Sequence, residues 1–392
     1  MNNKTGMFLL FAVTLMLSGC LGGGSTNFTS SHINFTSGQA ASVVVGQADF
    51  ATTGYGTTAS TLSSPSGNVD VDNSELFIGD YSNDRTVVFN NVPTTNGASA
   101  DYAIGQADLT TNDSTTIDAN TSQSPQDPMV SGGKLFVAEY NNNRVSIYNT
   151  VPTASPGTID VVLGQPDKGS NGNACSASGL NNPAGIAVVG GKIVVVDHTN
   201  HRVLIWNSIP TSDGQAADLV LGQTDFTSCT LGLSDSTMQD PAGVWTDGTR
   251  LVVVDSTNSR VLIWNTFPTT NGQAADLVLG QPDFTSGTGN QGITPDATTM
   301  LAPYGGVYVL NNQLFVTDTG NNRVLVWNTF PTTNDQAADA VLGQPDFASN
   351  SANQGTTPDA TTLDFPTGVF AIGKQLFVTD QGNNRVLIYN GT

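Results

Sequence analysis

The stretch Arg260 to Ser286, RVLIWNTFPTTNGQAADLVLGQPDFTS, returns from Arg323 to Ser349 with only four changes. Looser copies fill the chain. The arginine opening each R-V-x-I-aromatic-N-like run recurs as Arg85, Arg144, Arg202, Arg260, Arg323 and Arg385, at spacings of 59, 58, 58, 63 and 62 residues. A second anchor, G-Q-x-D, recurs at Gly46, Gly105, Gly164, Gly222, Gly280 and Gly343. A unit this short cannot bury its own apolar face, so copies must stack on one another around a shared core. Length alone therefore does not imply several domains.

Four strands fit each unit. In the fifth they are predicted at Gly305 to Leu310, Gln313 to Asp318, Arg323 to Asn328 and Asp339 to Gly343. Asn311-Asn312 and Thr319-Gly320-Asn321-Asn322 join the first three, and Asn and Gly tolerate the positive φ of tight turns. With 42 glycines, abundant Val and Thr and no long helix-forming run, the chain reads as all-β. Six units of four antiparallel strands predict a six-bladed β-propeller. The copies start with a lone fourth strand, Ser42 to Gly46, and end with a third, Arg385 to Asn390. The N-terminal strand is thus expected to complete the last blade.

The run LFVTDTGNNRVLVWN, Leu314 to Asn328, with P-x-G-V segments such as Pro241 to Val244, resembles the NHL-repeat family of six-bladed propellers. The resemblance covers the chain after residue 41. One departure is a unit of 58 to 63 residues, longer than the family's, with the excess in segments such as Thr266 to Ala275 and Thr285 to Ala302. The family ranges from protein- and RNA-binding modules to a peptide-amidating lyase, so the resemblance implies a fold more firmly than an activity.

Lys4 and the apolar run Met7 to Leu17 read as a signal peptide, residues 1–19, since eleven apolar residues are too few for a spanning helix. Leu17-Ser18-Gly19-Cys20 resembles the bacterial lipobox, which implies lipidation of Cys20. By the same resemblance, Leu21 rather than Asp after the cysteine implies sorting to the outer membrane in an organism with two membranes. Residues 20–40, rich in Gly, Ser, Thr and Asn, are expected to be a flexible tether, and 41–392 the propeller. With 12 basic against 32 acidic residues, a formal charge of −20 argues against nucleic acid or other polyanions as partners.

Acid-x-x-N-x-R recurs at the second turn of every unit. It comprises Asp80/Asn83/Arg85, Glu139/Asn142/Arg144, Asp197/Asn200/Arg202, Asp255/Asn258/Arg260, Asp318/Asn321/Arg323 and Asp380/Asn383/Arg385. A catalytic group is needed once and a brace in every blade, so these are expected to be structural. The G-Q-x-D acids, Asp49 through Asp346, are expected to cap turns. Function is sought where copies differ. After the turn acid stand Tyr81, Tyr140, His198, Ser256, Thr319 and Gln381 in blade order, which makes Tyr81, Tyr140 and His198 ligand-face candidates. Most units read L/M-x-x-P-x-G before the first strand, whereas unit two has Ser122, Pro125 and Asp127, so Asp127 is a candidate at the channel mouth.

No metal ligand set is assigned. His198 and His201 form D-H-x-x-H with Asp197 on a turn, no other unit supplies the His or Cys of a zinc shell, and the multi-blade histidines of the amidating lyase are absent. Calcium stays open because oxygen ligands abound, although no D-x-D-x-D-G loop is present. No G-x-S-x-G or phosphate-cradling motif occurs, so no catalytic residue is named. Cys175 and Cys229, in equivalent loops of adjacent units, are a disulfide candidate. The expected protein is a monomeric cell-envelope lipoprotein with no cofactor, whose propeller binds a protein or glycan. The alternative is a calcium-assisted hydrolase or lyase at the channel mouth.

Overall fold

The computed structural model describes residues 32–392. The signal peptide and Cys20 lie outside the described residues. The chain opens with β1 (Val43–Val45). Blade one is β2–β5 (Asp70–Asp72, Glu75–Asp80, Arg85–Phe89, Tyr102–Ile104), and blade two is β6–β9 (Pro125–Ser131, Lys134–Glu139, Arg144–Tyr148, Val161–Leu163). Blade three is β10–β13 (Pro183–Val189, Lys192–Asp197, Arg202–Trp206, Leu219–Leu221), and blade four is β14–β17 (Pro241–Thr246, Leu251–Asp255, Arg260–Trp264, Leu277–Leu279). Blade five is β18–β21 (Val307–Leu310, Gln313–Asp318, Arg323–Trp327, Ala340–Leu342), and β22–β24 (Pro366–Ile372, Gln375–Asp380, Arg385–Asn390) begin blade six. Each blade is a four-stranded antiparallel sheet, and β1 pairs with β24, Val44 opposite Leu387, to complete the sixth. The propeller is closed as the phase of the repeats predicts.

Apolar residues of facing sheets fill the gaps between blades, as where Leu204 and Trp206 of blade three join Phe136 and Ile147 of blade two in one buried cluster. The L/M positions Leu62, Leu180, Met238, Met300 and Leu363 are all buried. Blade two has the polar Ser122 there, buried with its hydroxyl unpaired.

Two further six-fold devices join neighbouring blades. Residues Asp84, Asn143, His201, Ser259, Asn322 and Asn384 close the second turn in left-handed conformation. Each accepts, through its side chain, the backbone N–H of the residue before the next blade's proline: Ser124, Asn182, Asp240, Ala302, Phe365 and Ser64. His201 is therefore one stitch of six, its Nδ1 3.1 Å from the Asp240 nitrogen. The long linkers supply the other device. Asn96, Ser155, Asp213, Asn271 and Asn334 accept an N–H from the outermost strand of the blade before, which protects that exposed edge.

The sixth such contact corrects the expected tether. Ser37 Oγ accepts Val341 N–H and Gly38 N–H donates to Val341 O, while Asn34 and Thr392 bond to each other and Ile33 and Phe35 are buried. Residues 32–40 are the missing linker of blade six, and two apolar side chains anchor them in the core. A second correction is that the first strand of unit five starts at Val307. Gly305 has φ +66°, and the Gly306 N–H turns to the Tyr304 carbonyl, while the Gly306 carbonyl still accepts Thr317 N–H.

Candidate functional site

The second turns and the long inter-blade loops share one face, the loop face; the first turns and linkers form the opposite one. The acid–Asn–Arg sets hold the loop face in place. In blade three Arg202 Nε donates to Asp197 at 2.7 Å, Asn200 to the same oxygen at 2.9 Å, and the guanidinium also reaches the Phe226, Ser176 and Gly179 carbonyls. Asp80/Arg85, Glu139/Arg144, Asp255/Arg260, Asp318/Arg323 and Asp380/Arg385 repeat the ion pair at 2.7 to 2.8 Å, all buried. Burial pushes the Asp80 and Asp197 carboxyls up to about 6, with the arginine opposing. Three donors per acid and up to three carbonyls per arginine compensate the desolvation.

The loops themselves hang on the glutamine of G-Q-x-D, which no local pattern marks as structural. Gln47, Gln106, Gln165, Gln223, Gln281 and Gln344 of G-Q-x-D are buried, and each amide donates to two loop carbonyls, as Gln223 does to His201 and Thr230. The Asp of the motif accepts N–H groups two and three residues on, as Asp225 does from Thr227 and Ser228. Cys175 and Cys229 form a disulfide between adjacent loops, Cα to Cα 6.3 Å.

On this face Tyr81, Tyr140 and His198 come together. Their ring centroids are 6.1 and 5.8 Å apart in sequence, and His198 lies 5.9 Å from a fourth ring, Tyr304. All four rings are partly exposed. Burial lowers the His198 pKa, which keeps the imidazole neutral, and its Nδ1 lies 2.9 Å from the Pro241 carbonyl. Burial pushes the Tyr140 hydroxyl up to about 12. The arc is thus uncharged and amphipathic, able to offer ring faces and hydroxyls together. Tyr304 is the x of Pro-x-Gly, which is Ser66, Gln126, Ala184, Ala242 and Thr367 elsewhere, so its signal was again a place where copies diverge.

Asp127 lies deeper than the mouth expected for it. Gly67, Gly185, Gly243, Gly305 and Gly368 occupy its position in the other blades and pinch the channel, so that a methyl group built on Gly243 or Gly305 would collide with the carbonyl of Gly305 or Thr367. Asp127 places a carboxylate in this constriction, at φ +50°. It accepts Asn68 N–H at 3.1 Å and Ile186 N–H at 2.6 Å, from the blades on either side. The Asn68 side chain accepts Val369 N–H, and Asp70 accepts Val130 N–H. These are free edges of innermost strands, satisfied by polar groups of other blades. Burial pushes the carboxyls of both Asp70 and Asp127 up to about 7 against their N–H donors.

Beyond the constriction a cavity of about 280 Å³ is lined by innermost strands of all six blades, including Asp70, Asp127, Trp245, Tyr308 and Phe370. Among the described residues no group of three or more His, Cys, Asp or Glu side chains is placed to hold a metal ion.

Comparison with known proteins places an NHL repeat at residues 180–206, a span running from Leu180 to Trp206 through β10, β11 and β12. No curated protein matches the chain in sequence. Solved structures with a similar course include a streptogramin B lyase (12% identity, covering 84% of this chain and 94% of that one, TM-score 0.44). Virginiamycin B lyase from Staphylococcus aureus is another (13%, 83% and 95%, TM-score 0.41), as is the computationally designed Ika8 protein (11%, 90% and 100%, TM-score 0.45).

Proposed function

We propose that this chain is a cell-envelope lipoprotein whose propeller is a non-catalytic binding module, taking a protein or glycan partner on the loop face. One observation carries the reading. Four partly exposed rings, from blades one, two, three and five, form a contiguous uncharged arc. The corresponding turn positions of blades four to six are Ser256, Thr319 and Gln381. Half-exposed Tyr and His bury large area at little entropic cost and retain hydrogen-bonding edges, which suits recognition of a sugar ring or an extended peptide. Apolar side chains on surrounding loops, Tyr55, Leu231, Leu233, Ile293 and Phe365, are exposed on the same face and extend the contact area.

The test is the double variant Tyr81→Ala/Tyr140→Ala, compared with Ser256→Ala/Gln381→Ala, in binding to immobilised envelope glycans and envelope proteins. The tyrosine variant loses binding about tenfold or more while the control pair keeps it; equal binding by both refutes the assignment of this face. Lipid attachment is tested separately by palmitate labelling, which Cys20→Ala abolishes if Cys20 is the modified residue.

A further inference from the structure

The cavity on the far side of the constriction is independent of the aromatic arc and poses its own chemical problem. Asp127 is buried in its lining and Asp70 lines it too, yet among the described residues neither is in an ion pair. The acids buried on β3, β7, β11, β15, β19 and β23, by contrast, each have their own arginine. Backbone N–H groups engage each oxygen of Asp127 and the Asn68 side chain adds a further hydrogen bond, but among the described residues no cation does. Two neighbouring acids without a cation are an unfinished site, because burying charge is costly until an opposite charge joins it.

The remaining walls narrow the choice of cation. Tyr308 and Phe370 stand with ring centroids 4.7 Å apart, Trp245 adds a third aromatic residue, and Met129, Val130 and Ile186 also line the cavity. Aromatic faces attract cations that carry an apolar body, whereas a hydrated metal ion gains nothing from them. Asp72 also acts on Asp70, and Tyr308 faces it, so every titratable group near the acid end is anionic or neutral. Arg250, which stacks on Trp245 at 5.6 Å, is engaged by Asp247 at 2.9 Å and Asn312 at 3.1 Å. A chain of net charge −20 also concentrates cations around itself.

We propose that this cavity binds a small organic ammonium ion, with Asp70 and Asp127 holding the charge and Trp245, Tyr308 and Phe370 holding the apolar body. Binding favours the ionised acids, so affinity rises with pH as protons leave them.

The test titrates the full chain in detergent with benzylammonium chloride, and with benzyl alcohol as the uncharged isostere, by calorimetry at pH 8 and pH 5.5. Benzylammonium binds saturably at one site at pH 8 and about tenfold more weakly at pH 5.5, and the alcohol binds at least about tenfold more weakly than the ion. Asp70→Asn/Asp127→Asn lowers the affinity by a similar factor. Should that variant fail to fold, Thr246→Trp fills the cavity while leaving both acids intact and produces the same loss. Tyr81→Ala/Tyr140→Ala leaves benzylammonium binding unchanged, which separates this site from the loop-face reading. Absence of benzylammonium binding, equal binding of the alcohol, or full affinity in the cavity variants overturns the proposal.

Discussion

The rim and the axis of this propeller solve the same problem, buried acids, in opposite ways. On the rim each acid has an arginine and two further donors, an arrangement repeated six times over. At the axis one blade departs from glycine, and Asp127 is held by backbone N–H groups with no cation. Repetition marks what the ring needs in order to stand, and departure marks where it is free to acquire a property.

Breaking a brace should give the largest effect. Arg202→Ala strands the buried Asp197 and frees three loop carbonyls, and is expected to cost about 3–5 kcal/mol, read as a lowered urea midpoint. Arg260→Ala should cost about the same, and unequal losses would show the braces to be less equivalent than their geometry.

The axis should respond to pH up to a higher value than the rim, whose Asp80 and Asp197 are pushed up only to about 6. Burial pushes Asp70 and Asp127 up to about 7 in the fold from 3.8, so between those values the folded chain keeps protons that the unfolded chain has released. Their contribution is fully present below about pH 4 and is lost as pH rises through 7. From pH 5 to pH 8 Asp127 alone lowers stability by on the order of 3 kcal/mol in denaturant titrations, and Asp127→Asn removes that share of the slope. Asp108 and Asp225, held near 2 by turn N–H and hydroxyl donors, act oppositely and only below about pH 4.

The smallest effect tests blade two itself. Ser122→Ala removes a buried hydroxyl that has no partner and is expected to raise stability by about 1 kcal/mol, measured as a higher melting temperature.

The spacing of six arginines and the phase of the copies were enough to read the blades, their order and their closure. What they could not show depends on which blade lies alongside. His201 looked like half of a metal motif, yet it fills a place that Asp84, Asn143 and Asn322 fill elsewhere. Its task becomes visible only when the next blade's N–H is seen beside it. Gln223 and its equivalents were in plain view, but they bond to loops seven residues onward and 22 residues back, beyond any local pattern. Tyr81, Tyr140 and His198 could be selected as divergent positions, while Tyr304 joins them from across the ring. Asp127 stood out as an exception expected at the channel mouth, but no local pattern shows that it lies deeper, where N–H groups of the flanking blades reach it.

The seam of the ring also determines how the molecule carries load. Tension applied at residue 32 reaches Gln313 through the Ile33 backbone, Thr392 through Asn34 and Val341 through Ser37 and Gly38, before it reaches the pairing of β1 with β24. A pull from that end is therefore shared by blades five and six, and the propeller hangs from a clasp instead of a single thread.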